Sequence, residues 1–194
     1  MKYSKDFPLI FEDKLLDIPE DKRDDAGRML SDLRADELEQ NPIEGNFDIE
    51  HLAKIHGFLF EKVSTHAGVV RAYGMNKGGT PFAEPSQMDY LFDRELPFRI
   101  ETLGFSVNDI DKYIDVMTDL HSTLDLAHPF REGNGRSSRA FMSQLAKEHG
   151  YDLDFSMINA KEWVKACIDS INTGQEVLKR PLFERIIRPQ KSKD

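Results

Sequence analysis

The residues best suited to chemistry in this 194-residue chain lie in one run, His128-Pro129-Phe130-Arg131-Glu132-Gly133-Asn134-Gly135-Arg136-Ser137-Ser138-Arg139. Pro129 disfavours a helical backbone at His128, so a preceding helix should end near that histidine. Gly133 and Gly135 flank Asn134, which lets the backbone approach a ligand closely and take positive φ. A helix that starts at about Asn134 or Gly135 carries unpaired N–H groups in its first turn, a ready anion site. Arg136 and Arg139 are three apart and share one face of that turn. Two cations oppose the helix dipole there; the placement makes sense where an anion is to be bound, and guanidinium forks suit polyphosphate. A carboxylate beside such cations, Glu132, is most simply read as a ligand of Mg²⁺, which bridges carboxylate and phosphate oxygens. His128 is then the group able to accept a proton near neutral pH. Gly-Asn-Gly-Arg by itself would be no more than a glycine-rich turn between helices with surface arginines.

The elements that must position these residues read mostly as helix. Within 47–64, Ile49, Leu52, Leu59 and Val63, with His56 between them, recur at helical spacing, and Asp48 can cap the run. Within 106–126, Ile110, Ile114, Met117, His121 and Leu124 repeat that spacing, and Ser106 with Asp109 resembles a capping box in which Asp replaces the usual Glu or Gln. A helix over about 135–149 carries Phe141, Met142 and Leu145 and stops at Gly150. Further helices are expected over 20–40 and 159–172, and a short one over 181–187. The stretch 73–83 breaks the pattern: glycines and a proline surround an Asn76-Lys77-Gly78-Gly79 tip, which favours a β-hairpin or an extended flap. An isolated hairpin is marginally stable, so another element should pack on it or pair with it.

The whole string from His128 to Arg139 matches the signature of the Fic family, His-x-Phe-x-(Asp/Glu)-Gly-Asn-Gly-Arg-x-x-Arg, without a departure. His56-x-x-Leu59-Phe60 and Ala67-Gly68-x-x-Arg71 resemble the helix that precedes the family's flap, and Lys77-Gly78-Gly79-x-x-Phe82-Ala83 resembles the flap itself. Gln144-Leu145-Ala146 and Gly150-Tyr151-x-Leu153 resemble the continuation, whereas His66 stands where relatives commonly place Trp. The resemblance covers about 41–160. It implies a single Fic domain over 1–194 with N- and C-terminal helical extensions, all-α, a helical bundle with a β-hairpin flap over the active site. The implied activity is that of a protein adenylyltransferase, which moves AMP from ATP to a Tyr, Thr or Ser hydroxyl of a target protein. On this resemblance His128 is the general base, and Glu132 holds Mg²⁺ on the α- and β-phosphates. Gly133, Asn134 and Gly135 form the anion hole, with Arg136 on the β-phosphate and Arg139 on the γ-phosphate. The flap residues Lys77, Gly78, Gly79, Thr80 and Phe82 would clamp the target backbone by β-augmentation. Attack would be in line on the α-phosphorus, with catalysis by positioning and charge neutralisation.

Members of this family are often silenced by a helix bearing (Ser/Thr)-x-x-x-Glu-(Gly/Asn), whose Glu pairs with the second motif Arg. Ile43-Glu44-Gly45-Asn46 resembles the end of that motif, but Gln40 occupies the Ser/Thr position. Asn41-Pro42-Ile43-Glu44-Gly45 resembles instead the turn that leads into the next helix in stand-alone members. Inhibition is therefore expected in trans, from a small helical antitoxin that brings a carboxylate to Arg139. Two rival functions remain. A Doc-like kinase would bind the nucleotide reversed, and that branch resembles Gly-Asn-Lys-Arg at the anion hole, so Gly135 in place of Lys speaks against it. A non-catalytic nucleotide-binding regulator would not need an intact His128, Glu132 and Arg139.

The rest of the chain reads as support. His51 and His56 are five apart, about 140° round a helix, and do not converge on one ion. His121 lies on an apolar stripe as a core histidine, His149 sits near a helix C-terminus where positive charge is favourable, and Trp163 and Cys167 read as core. Residues 1–50 hold fifteen Asp or Glu against seven Lys or Arg, and the stretch from Lys179 onward holds six Lys or Arg against two acids; both read as solvated surface. A formal charge of −9 and a pI near 5.2 make nucleic acid a poor partner, and no apolar stretch suits a membrane partner. One cysteine excludes an intramolecular disulfide framework, and the absence of a signal-like N-terminus leads to the expectation of a cytoplasmic protein.

Overall fold

The computed structural model describes residues 3–4 and 11–190. The fold class is the expected one: helices dominate, and strands are confined to short two-stranded sheets among the described residues. These residues form two compact units, one from Met1–Tyr73 with Pro129–Phe141, the other from Gly74–His128 with Met142–Asp194. No helix among the described residues is long and apolar enough to cross a membrane.

The first unit contains α1 (Glu20–Gln40), α2 (Ile49–Phe60) and the first half of α6 (Asn134–Glu148). Strand β1 (Tyr3–Ser4) pairs in parallel with β2 (Val70–Arg71). Helix α2 starts where its cap was expected, with the Asp48 carboxylate accepting the His51 N–H at 2.8 Å. Between α1 and α2 the chain is a turn, not a helix. His51 clasps it: Nδ1 accepts the Phe47 N–H at 3.2 Å, so Nε2 carries the proton and donates to the Ile43 carbonyl at 2.8 Å. Leu38, Leu52, Ile55, Leu59, Phe60, Phe130 and Phe141 are buried in this unit.

In the second unit, β3 (Asn76–Lys77) and β4 (Thr80–Pro81) form the anticipated antiparallel hairpin. Gly78 and Gly79 turn it with φ of 58° and 90°, a conformation in which glycine pays no Cβ penalty. A helical stretch absent from the periodicity reading follows. Pro85–Gln87 opens it behind a Glu84–Gln87 capping box, α3 (Met88–Tyr90) continues, a π-helical turn spans Leu91–Glu95, and α4 (Leu96–Ser106) completes it. Pro97 and Gly104 hid this stretch, being poor helix formers. Pro97 has no N–H to give the preceding turn, and that turn is the widened one.

Helix α5 (Ile110–Ala127) buries Tyr113, Ile114, Met117, His121 and Leu124, but Ile110 at its start is exposed. Its cap differs from the expected box. Asp109 alone caps it, accepting the Lys112 N–H, while Ser106 is the last residue of α4 and donates back to Leu103 at 2.9 Å. Strand β5 (Tyr151–Leu153) pairs antiparallel with β6 (Ile187–Pro189), beyond α7 (Ala160–Thr173) and α8 (Arg180–Ile186). Trp163 is buried edge-on to His121 and beside Phe183, but Cys167 is only half-buried, not core. His149 also departs from expectation: burial lowers its pKa, against the weak dipole benefit of a helix end.

Candidate active site

His128 ends α5 in the left-handed conformation, φ 41° and ψ 57°, with its N–H donating to the Leu124 carbonyl at 3.1 Å. A non-glycine residue held there is strained, and such strain persists only where neighbours enforce it. Pro129 blocks the helical alternative, and the flap holds the other side. The Phe82 ring stacks on the imidazole, and the adjoining Ala83 N–H donates to the Leu126 carbonyl of α5 at 2.8 Å. The hairpin thus has the support that an isolated two-stranded element needs. Within it Lys77 pairs with Thr80, Thr80 is buried, and Gly78 and Gly79 form the exposed tip, where Asn76 Oδ1 accepts the Gly79 N–H at 3.0 Å.

The rest of the motif belongs to the first unit. The Asn134 side chain closes the loop on itself, accepting the Phe130 N–H at 2.8 Å and donating to the Phe130 carbonyl at 2.7 Å. The backbone N–H that Asn134 brings to the start of α6 is among the donors a helix N-terminus offers an anion. Gly133 has φ 78°, and a Cβ there would overlap the Phe60 ring, so two independent constraints demand glycine. The positive φ expected at Gly135 is not found. That residue is already helical, and a Cβ on it would meet Arg139 Nη1 at 3.4 Å.

Arg136 packs its guanidinium over the Phe60 ring at 4.7 Å and donates through Nη1 to Ser31 Oγ of α1. Ser31 is fully buried, and its own hydroxyl donates to the Arg28 carbonyl at 2.8 Å. Burial lowers the Arg136 pKa, Asp32 opposes that shift, and the charge of Arg139 reinforces it. The acidic stretch of α1 is thus not only solvated surface, because one face of it supports a motif arginine. Glu132 is exposed, and its carbonyl accepts from His56 Nε2 at 2.9 Å. Burial pushes the pKa of His56 down to about 3. A cleft of about 670 Å³ opens beside these groups, with Arg28, Phe60, Arg131, Glu132 and Arg136 in its wall.

Of the residues singled out by the sequence, Glu132, Gly133, Asn134, Gly135, Arg136 and Arg139 lie together in the first unit. His128 and the flap residues Lys77, Gly78, Gly79, Thr80 and Phe82 lie together in the second. The first group offers a helix N-terminus, two guanidinium groups and a carboxylate, which can hold an anion and a hard cation. The second offers an imidazole under an aromatic cover. Sequence reasoning missed Ser31, Phe60 and His56 as partners of the motif. His56 and Phe60 lie in the string His56-x-x-Leu59-Phe60, but the hydrogen bonds of His56 go to backbone atoms, which leave no residue-type signature.

Residues 46–146 match the Fic/DOC family. The chain is 33% identical over 149 residues to protein adenylyltransferase VbhT of Bartonella schoenbuchensis, a match covering 75% of this chain and 30% of that protein. The chain therefore spans about a third of that relative's length. It is 28% identical over 142 residues to a probable protein adenylyltransferase Fic of Escherichia coli, covering 73% of this chain and 70% of that one. A solved structure, the VirB-translocated effector BepC of Bartonella tribocorum with bound AMPPNP, is similar with a TM-score of 0.79 and 29% identity, over 89% of this chain and 90% of that chain.

Proposed function

Because the chain belongs to the Fic/DOC family, we propose that it is a protein adenylyltransferase, moving AMP from ATP to a Tyr, Thr or Ser hydroxyl of a target protein. One observation carries this reading: left-handed Gly133 leads directly into the N-terminus of α6, with Arg136 and Arg139 in its first turns. Backbone N–H groups there take the α- and β-phosphates, Arg136 the β-phosphate and Arg139 the γ-phosphate. Glu132, exposed among cations in the cleft wall, has the chemistry to hold Mg²⁺, which would neutralise phosphate charge. His128 takes the proton from the target hydroxyl as that oxygen bonds to the α-phosphorus, and pyrophosphate leaves. The target backbone lies along the β3–β4 hairpin, whose strand geometry suits main-chain pairing. Inhibition comes from a small helical antitoxin in trans that pairs a carboxylate with Arg139. This is supported by the turn around exposed Glu44, which has no helix to present that carboxylate from within.

The test is incubation of cell lysate with labelled ATP and Mg²⁺, comparing the wild type with His128→Ala. The expected product is a protein hydroxyl carrying AMP by mass spectrometry, with transfer lowered on the order of 10²–10⁴ in the variant. A target carrying phosphate supports the Doc-like kinase reading instead. An absence of label supports the regulator reading, and equal transfer by the variant removes the base assignment.

A further inference from the structure

The geometry points to His56 as a positioning residue for the nucleotide cradle, acting by orienting the peptide between Glu132 and Gly133. This rests on the reading of the motif loop as that cradle. The ring is completely buried, stacked on Phe130 with centroids 3.9 Å apart and 20° between planes. Its two nitrogens have opposite and unambiguous roles. Nδ1 lies 2.7 Å from the Gly68 backbone N–H, which can only donate, so Nδ1 is the unprotonated acceptor. Nε2 therefore carries the proton and donates to the Glu132 carbonyl at 2.9 Å.

The source of the Gly68 N–H is itself built in. Gly68 has φ 76° and lies against α2, where a Cβ would come within 2.9 Å of the Ala53 carbonyl and 3.3 Å of Gly57 Cα. Only glycine brings the backbone near enough to fix the tautomer from that side. The consequence runs outward to the loop. A peptide unit is planar and trans, so its C=O and N–H point in opposite directions. Holding the Glu132 carbonyl towards His56 directs the Gly133 N–H away from it, and this N–H begins the anion hole in the proposed mechanism. Asn134 pins the loop through Phe130, and Phe60 limits Gly133 to glycine. Neither of these contacts touches the Glu132–Gly133 peptide oxygen. His56 constrains that oxygen directly, and its loss removes this restraint on the peptide's orientation.

The test uses His56→Phe and His56→Gln in the full chain, with AMPPNP and Mg²⁺ as the calorimetric probe and the melting temperature measured in parallel. Phenylalanine keeps the ring shape and the stack but cannot donate; glutamine places an N–H near the Nε2 position. Affinity is expected to fall about tenfold in His56→Phe, the scale of one lost hydrogen bond. It should recover in His56→Gln even if the two variants melt alike. Wild-type affinity in His56→Phe, or losses in both variants that follow melting temperature alone, would overturn the positioning role. Absence of AMPPNP binding by the wild type would instead overturn the nucleotide reading on which this rests. Should His56→Phe not fold, histidine ¹⁵N shifts of the wild type still decide: a His56 ring protonated at Nδ1, or affinity in His56→Gln well below wild type without a matching fall in melting temperature, sinks the proposal, and a ring protonated at Nε2 with near wild-type affinity in His56→Gln supports it.

Discussion

Phe82 lies face to face with His128, ring centroids 3.8 Å apart and planes at 21°. The flap therefore ends in an aromatic cover on the candidate base. Such a stack is worth about 0.5–1.5 kcal/mol beyond its buried area, enough to favour one imidazole orientation and to keep water from one of its faces. The family resemblance places Phe82 in the flap that clamps the target backbone; its neighbour in this structure is His128.

If the stack orients the base, Phe82→Ala should lower AMP transfer by about tenfold, the upper end of that energy. AMPPNP affinity should stay within about twofold. Rates measured with labelled ATP, beside calorimetry, check this. Parallel loss of transfer and of nucleotide affinity would show that Phe82 supports the fold instead of the base.

Ser31 sits in α1, outside the family-matched residues 46–146, yet accepts a hydrogen bond from Arg136. Ser31→Ala leaves that guanidinium with one partner fewer, while its contact with the Phe60 ring is kept. AMPPNP affinity is expected to fall about threefold to tenfold, the range for one hydrogen bond to a charged group partly replaced by water. Unchanged affinity by calorimetry would reduce α1 to a packing element.

Lys179 is fully buried, and its ammonium lies 3.0 Å from the Asp125 carboxylate, which is also 3.2 Å from His121 Nδ1. Lys179→Met would leave the carboxylate poorly compensated, a cost of about 3–5 kcal/mol. Melting should fall by roughly 6–20 °C for a chain of this size. Burial alone would raise the Asp125 pKa, but His121 and Lys179 more than offset it and hold the carboxyl well below its ordinary range. A depressed folded pKa stabilises above the unfolded value, near pH 4, and that stability is lost as pH falls further. Urea unfolding of the wild type should therefore weaken more steeply from pH 5 to pH 3 than that of Asp125→Asn. Parallel slopes would remove Asp125 from the acid response.

Glu44 is exposed in the turn that His51 clasps. With no helix to carry it, Glu44→Gly should leave the purified protein as active as the wild type. A variant that modifies targets far faster would place the inhibitor within the chain.

The motif helices were legible because their evidence is local. Asp48 before an apolar run, Pro129 after His128 and Gly150 after the last helical turn each act within a few residues of their own position. The hairpin was legible for the same reason, since its tip needs positive φ and holds Gly78 and Gly79. The Leu91–Glu95 turn and α4 were not, because Pro97 reads as a break until the widened turn before it is seen.

What the sequence by itself determined is the inventory of the cradle: a carboxylate, a glycine at each end of Asn134, and two arginines on a helix start, all inside one short string. Tertiary structure decided how that inventory is aimed. Ser31 meets Arg136 across 105 positions, and His56 meets Glu132 across 76. Both contacts depend on how α1 and α2 pack, and the second ends on a backbone carbonyl that every residue possesses. A side-chain type marks what can react, whereas the direction of a peptide group is set only when the chain around it is folded.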